Sequence, residues 1–198
     1  MGYKSILGII AVVLTFVGFF PYFRSIVQGK AKPHLFSWII WGLTTMIVFF
    51  VQVKEEGGAG SWAIGVSAVT TFVVAILAYF KKSDTHITLL DWFFFVLALA
   101  SLPFWFFTSD PLWAVVILTI VDVCGFGPTL RKAYDAPFEE DLPFYGLFTV
   151  RSVISVIALE NYNVATVLFP AVIAISCLLL VIVVAYRRRM VSREECTL

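Results

Sequence analysis

Seven apolar runs follow one another along the chain: Ser5–Phe23, Leu35–Val53, Gly57–Phe80, Trp92–Ser109, Pro111–Leu130, Leu142–Leu159 and Val164–Tyr186. Each has about the 20 apolar residues that a helix rising 1.5 Å per residue needs to cross a bilayer core. Five of the runs carry no charge; the fifth holds Asp122 and the sixth Arg151. The pattern predicts an all-α polytopic membrane protein with seven transmembrane helices. The segments between the runs are too short for a soluble domain. Asp110 before Pro111 predicts a helix start, an N-cap acceptor followed by proline in the first turn. Thr88 and Asp91 read as a capping pair at the fourth helix. All six tryptophans lie near run ends, as an interfacial aromatic belt requires.

A second pattern sits on the first. At a constant offset of 107 residues, Gly18-Phe19-Phe20-Pro21-Tyr22-Phe23-Arg24 aligns with Gly125-Phe126-Gly127-Pro128-Thr129-Leu130-Arg131. Ala78-Tyr79-Phe80-Lys81-Lys82 aligns in the same register with Ala185-Tyr186-Arg187-Arg188-Arg189. Between them Trp38 meets Tyr145 and Trp41 meets Phe148. Chance similarity of apolar runs does not easily match a proline, an arginine and a basic terminus together. The offset spans four helices, so the two copies run in the same direction and a lone helix returns the chain between them. The expected organisation is 3+1+3: a first three-helix repeat over 1–83, a linker helix over 84–110, a second repeat over 111–190 and a tail over 191–198.

Composition agrees with lipid as solvent. Of 198 residues, 61% are hydrophobic and 14% charged, with a mean hydropathy of +0.96, against about 25% charged in soluble domains. The balance of charges matters more than the net +1, which gives no footprint for nucleic acid. Eleven Lys and Arg fall on the side that carries the C-terminus, against Lys4 and Lys54 on the other. The positive-inside rule then places the N-terminus outside and the C-terminus in the cytoplasm, in what we expect to be a bacterial plasma (inner) membrane. Three scattered cysteines with no CxxC spacing give neither a disulfide framework nor a zinc site. The expectation is no metal, no cofactor and no enzyme activity, since no nucleophile and base share a depth and no catalytic motif occurs.

The repeat, its two prolines and its charged turns resemble the PQ-loop superfamily, which includes the SWEET sugar transporters, lysosomal amino-acid exporters and the KDEL receptors. The residues that carry the likeness are Pro21-Tyr22, Gly29-Lys30-Ala31-Lys32 and Ser37-Trp38 in the first copy, and Pro128-Thr129, Glu139-Glu140-Asp141 and Phe144-Tyr145 in the second. The glutamine that follows each proline in that family is absent here. So are the third-helix asparagines of the sugar carriers, the only asparagines being Asn161 and Asn163. The resemblance implies a secondary transporter or facilitator that moves a small solute by alternating access between two three-helix halves. Its KDEL-receptor branch gives the alternative, a membrane receptor or assembly scaffold without transport. The expected partners are that solute and the bilayer, not nucleic acid; a homo-oligomer stays open.

Asp122 and Arg151 are the residues with most chemistry to offer. Counted from the cytoplasmic ends of their runs they sit at equal depth, about 13 Å in. Isolated charges there are costly, so the two are expected in direct or one-water contact. Their repeat equivalents are Thr15 and Thr44, which makes Asp122, Arg151, Thr15, Thr44 and Trp41 a candidate midplane site for substrate or coupling. A purely structural ion pair joining the fifth and sixth helices explains the same residues equally well. Pro21 and Pro128 form candidate hinges. Lys30 and Lys32 face Glu139, Glu140 and Asp141 in a candidate cytoplasmic gate, with solvated loop charges as the plainer reading.

Overall fold

A computed structural model of the chain describes residues 2–29, 35–81, 89–108, 110–135, 137–139 and 142–191. Seven α-helices occupy them: α1 (Tyr3–Val27), α2 (Leu35–Lys54), α3 (Trp62–Phe80), α4 (Leu89–Thr108), α5 (Pro111–Asp135), α6 (Leu142–Ile157) and α7 (Val164–Met190). Short 3-10 turns at Gly58–Ser61 and Pro137–Glu139 complete the described elements. Four segments, α1, α2, α7 and the stretch from Gly58 through α3, are long and apolar enough to cross a membrane. Their character points to membrane insertion.

The burial pattern of α1 fits a helix with an apolar surrounding. Its buried positions are Gly8, Ala11, Thr15, Gly18, Phe19 and Ile26. Its outward positions include Ile6, Ile9, Val13, Phe16, Val17 and Phe20, all substantially exposed. Four of the six buried positions are small or polar while large apolar groups face out, unlike the polar exterior of a soluble helix. Exposed Val69, Val73 and Ile76 on α3, and Ile175, Leu179 and Ile182 on α7, extend the same apolar exterior.

Within the first three helices α3 packs against both α1 and α2, which meet each other mainly through rings. Within the last three, α7 packs against both α5 and α6, and these two in turn make little contact. The two groups meet along a seam where α1 packs on α6 and α2 on α5, with smaller contacts of α2 on α7 and α3 on α6. The helix between them, α4, covers α5 and α2 through Phe36, Ile40 and Val121 against Phe95.

Several local expectations meet the structure directly. Asp110 accepts a hydrogen bond from the backbone N–H of Leu112 at 2.9 Å, capping α5 as its Asp-Pro start requires. Asn163 caps α7 with a full capping box, its side chain accepting from Thr166 N while the Thr166 hydroxyl accepts from Asn163 N. The Thr88–Asp91 capping pair lies outside the described residues and side chains. Pro21 and Pro128 do not end their helices: α1 continues to Val27 and α5 to Asp135. The tryptophan belt needs correction. Trp62, Trp92 and Trp113 are outward-facing, but Trp38 and Trp41 are half-buried in the seam, where Trp38 stacks on Tyr22 at 5.3 Å between ring centroids.

Candidate functional site

The seam is built from two matched contacts. Gly18 on α1 faces Phe148 on α6 so closely that a Cβ at Gly18 would lie 2.7 Å from the ring. Gly125 on α5 faces Trp41 on α2, where a Cβ would lie 3.0 Å from the indole nitrogen. In the 107-residue register Gly18 is the counterpart of Gly125, and Trp41 that of Phe148. Each group therefore offers a glycine notch on its first helix and fills the other group's notch with an aromatic ring from its second. Phe148 also lies 5.5 Å from Phe19 and stacks on Phe144 at 4.4 Å, extending the aromatic contact.

Polar side chains line the seam beside these notches. Thr15 and Thr44 are wholly buried, Asp122 is 7% exposed and Arg151 2%. None of the four faces lipid. The structure does not bring Asp122 and Arg151 into an ion pair. Asp122 faces Thr44 of α2 across the seam, and the Thr44 hydroxyl donates to Trp41 O at 3.0 Å. Arg151 donates from Nη1 to Ala63 O of α3 and from Nη2 to Ser152 Oγ, both at 3.3 Å, and its Nε has no partner. The guanidinium carbon lies 4.8 Å from the centre of the Phe148 ring. Equal depth suggested direct or one-water contact, but α5 and α6 each pack mainly on α7. In place of a pair joining these two helices, Arg151 bonds Ala63 of α3 and Ser152 of its own helix. Thr15 turns its hydroxyl back to Ala11 O at 2.9 Å.

Cys177 on α7 lies within electrostatic reach of both Asp122 and Arg151. Composition alone made it a bland core cysteine; only the packing of α7 between α5 and α6 reveals its position. Gln52 was also missed by its place inside an apolar run. It is fully buried, donates to Thr166 O on α7 at 2.7 Å and leaves its Oε1 without a partner. A lone amide next to the last residue of an otherwise apolar run was the available signal.

One end of the seam is laced by hydrogen bonds. Glu55 after α2 receives Asn163 Nδ2 on its carboxylate at 2.9 Å and Asn161 Nδ2 on its carbonyl at 3.0 Å. Glu160 N donates to Gly57 O at 3.1 Å, Ser155 Oγ to Gly60 O at 2.5 Å, and Lys4 Nζ to Leu159 O at 2.6 Å. At the opposite end, Lys30, Lys32, Glu140 and Asp141 lie outside the described residues, as does the side chain of Glu139, so the candidate gate is not part of the described site. Among the described residues no group of three or more metal-ligating side chains converges.

Compared with family models, with curated proteins and with solved structures, the chain matches none of them.

Proposed function

We propose that the chain is a seven-span membrane protein of 3+1+3 design whose two three-helix bundles move a small solute across the membrane between them. The observation that carries this reading is the reciprocity of the seam. Gly18–Phe148 and Gly125–Trp41 exchange under the same 107-residue offset that relates Pro21 to Pro128 and Arg24 to Arg131. The packing of α3 beside α1 and α2 is repeated by α7 beside α5 and α6. Two like bundles meeting on a pseudo-twofold axis along the membrane normal can rock about their seam, opening one end as the other closes. Notches filled by rings, in place of continuous interdigitated side chains, give a surface that can part and re-form. The buried polar groups Thr15, Thr44, Asp122 and Arg151 lie on that surface, where a solute passing between bundles meets them. Intramembrane ionisable groups lining an interior surface are retained at an energetic cost, which favours function over passive structure. The basic residues place the Arg-rich C-terminal end in the cytoplasm.

Cys177 provides the test. With Cys124 and Cys196 changed to Ser, a small membrane-impermeant methanethiosulfonate is added to right-side-out and to inverted membrane vesicles. Modification of Cys177 from both faces is the expected result. Access from one face only, or from neither, overturns alternating access and leaves the scaffold or receptor reading. A reporter fused after Leu198 checks the orientation and should act only in the cytoplasm.

A further inference from the structure

Arg151 differs from the other basic side chains with placed partners. Lys4 pairs with Leu159 O and the Tyr162 ring, Arg187 with Tyr134 O and its ring, and Arg188 with Pro137 O and the Phe138 ring. All three lie toward helix ends, where water can complete their solvation. Arg151 sits within α6 at 2% exposure. Of its five N–H donors, one meets a backbone carbonyl and one a hydroxyl, both at the long distance of 3.3 Å. Its Nε is buried without a partner. One face of the guanidinium is covered by Phe148, and among the described residues its bonded partners are Ala63 O and Ser152 Oγ, neither of them a carboxylate. A buried, permanently charged group with an unpartnered Nε is under-neutralised, and an anion would complete it.

We infer that Arg151 is the recognition point for the carboxylate of a singly charged small solute, an inference that rests on the transport reading above. The edge formed by Nε and Nη2 matches the two oxygens of a carboxylate in a side-on, paired hydrogen bond. Ser152, already beside Nη2, completes the cradle. One guanidinium balances one carboxylate, whereas a phosphate dianion would stay under-neutralised with Asp122 as a nearby acid. Cys177 lies near both Arg151 and Asp122, which puts the acid on the same stretch of the seam. Asp122 distinguishes two sources of the same carboxylate: it pairs with the ammonium group of an amino acid, and offers nothing essential to a hydroxy acid.

The test uses the full-length protein purified in detergent, with radiolabelled lactate and alanine as probes, glucose as the uncharged control and ionic strength held constant. Saturable binding of lactate, alanine or both is expected, with none of glucose. Arg151→Gln should weaken that binding at least tenfold. Arg151→Lys, which keeps the charge but lacks the paired edge, should weaken it similarly and decides the matter if the Gln variant fails to fold. Loss of alanine binding alone in Asp122→Asn identifies an amino acid as the source; unchanged binding of both probes identifies a hydroxy acid. The inference is overturned if glucose alone binds, if no probe binds, or if binding survives both Arg151 substitutions. Modification of Cys177 from both faces without carboxylate binding would leave transport standing and remove this site. Arg151-dependent binding with Cys177 closed to one face would do the reverse.

Discussion

The two ends of the seam are joined by different forces. At the end near Lys4, backbone and amide groups interlock: Asn161 and Asn163 bind Glu55, Glu160 binds Gly57, Ser155 binds Gly60. At the end near Arg24, rings do the joining, with Phe19, Tyr22, Trp38, Phe144 and Phe148 in mutual contact. Hydrogen bonds are directional and lose most of their strength within about an ångström of displacement. Ring contacts are broad and tolerate sliding at modest cost. A seam fastened by the first kind at one end and the second at the other is stiffer at the Lys4 end. Rocking of the bundles would begin where the rings meet.

Glycine substitutions should separate the two ends most sharply. A Cβ at Gly60 would lie 2.6 Å from Ser155 O and 2.7 Å from Leu159 N, both backbone atoms that cannot step aside. Gly60→Ala is expected to cost roughly 2–3 kcal/mol, at the upper end of overpacking penalties. Gly125→Ala meets the Trp41 ring at 3.0 Å, which can tilt, and should cost about 1 kcal/mol. Thermal midpoints of the purified proteins measure both. Equal losses would mean that the ring contacts are as rigid as the hydrogen-bonded end.

Removing the hydrogen bonds tests the same contrast from the other side. Asn163→Ala deletes both the cap of α7 and the contact to Glu55, for an expected loss of about 1–2 kcal/mol. In the vesicle assay it should also speed modification of Cys177 from the Lys4 side. An unchanged rate there would show that the lacing does not restrain the seam.

The middle of the seam calls for smaller effects of opposite sign. The bonded partners of Arg151 among the described residues include no carboxylate, so Arg151→Met should leave stability unchanged or raise it by about 1 kcal/mol while abolishing ligand binding. Asp122→Asn strands no directly paired guanidinium. Its cost should stay below about 1 kcal/mol, far under the roughly 3–5 kcal/mol of a broken buried ion pair. A loss of that larger size in thermal or chemical unfolding would restore the direct pair to the native state.

Apolar runs longer than any soluble core can use determined that this chain is helical and meets lipid, because backbone polar groups in hydrocarbon must be satisfied within each segment. Helix starts were legible for the same local reason: Asp110-Pro111 acts through its own first turn. The offset relating Gly18 to Gly125 and Trp41 to Phe148 was also present in the sequence, although its meaning as notch and ring was not. That required the tertiary structure, which decides which helices are neighbours. Equal depth along two helices could not show that α5 and α6 each pack mainly on α7, with Asp122 toward Thr44 and Arg151 bonded to Ala63 and Ser152. Nor could run-end position tell Trp38, packed in the seam, from Trp62, facing outward. Distance along a helix axis follows from counting residues; direction around it and the identity of the neighbour follow from how small residues let particular helices approach.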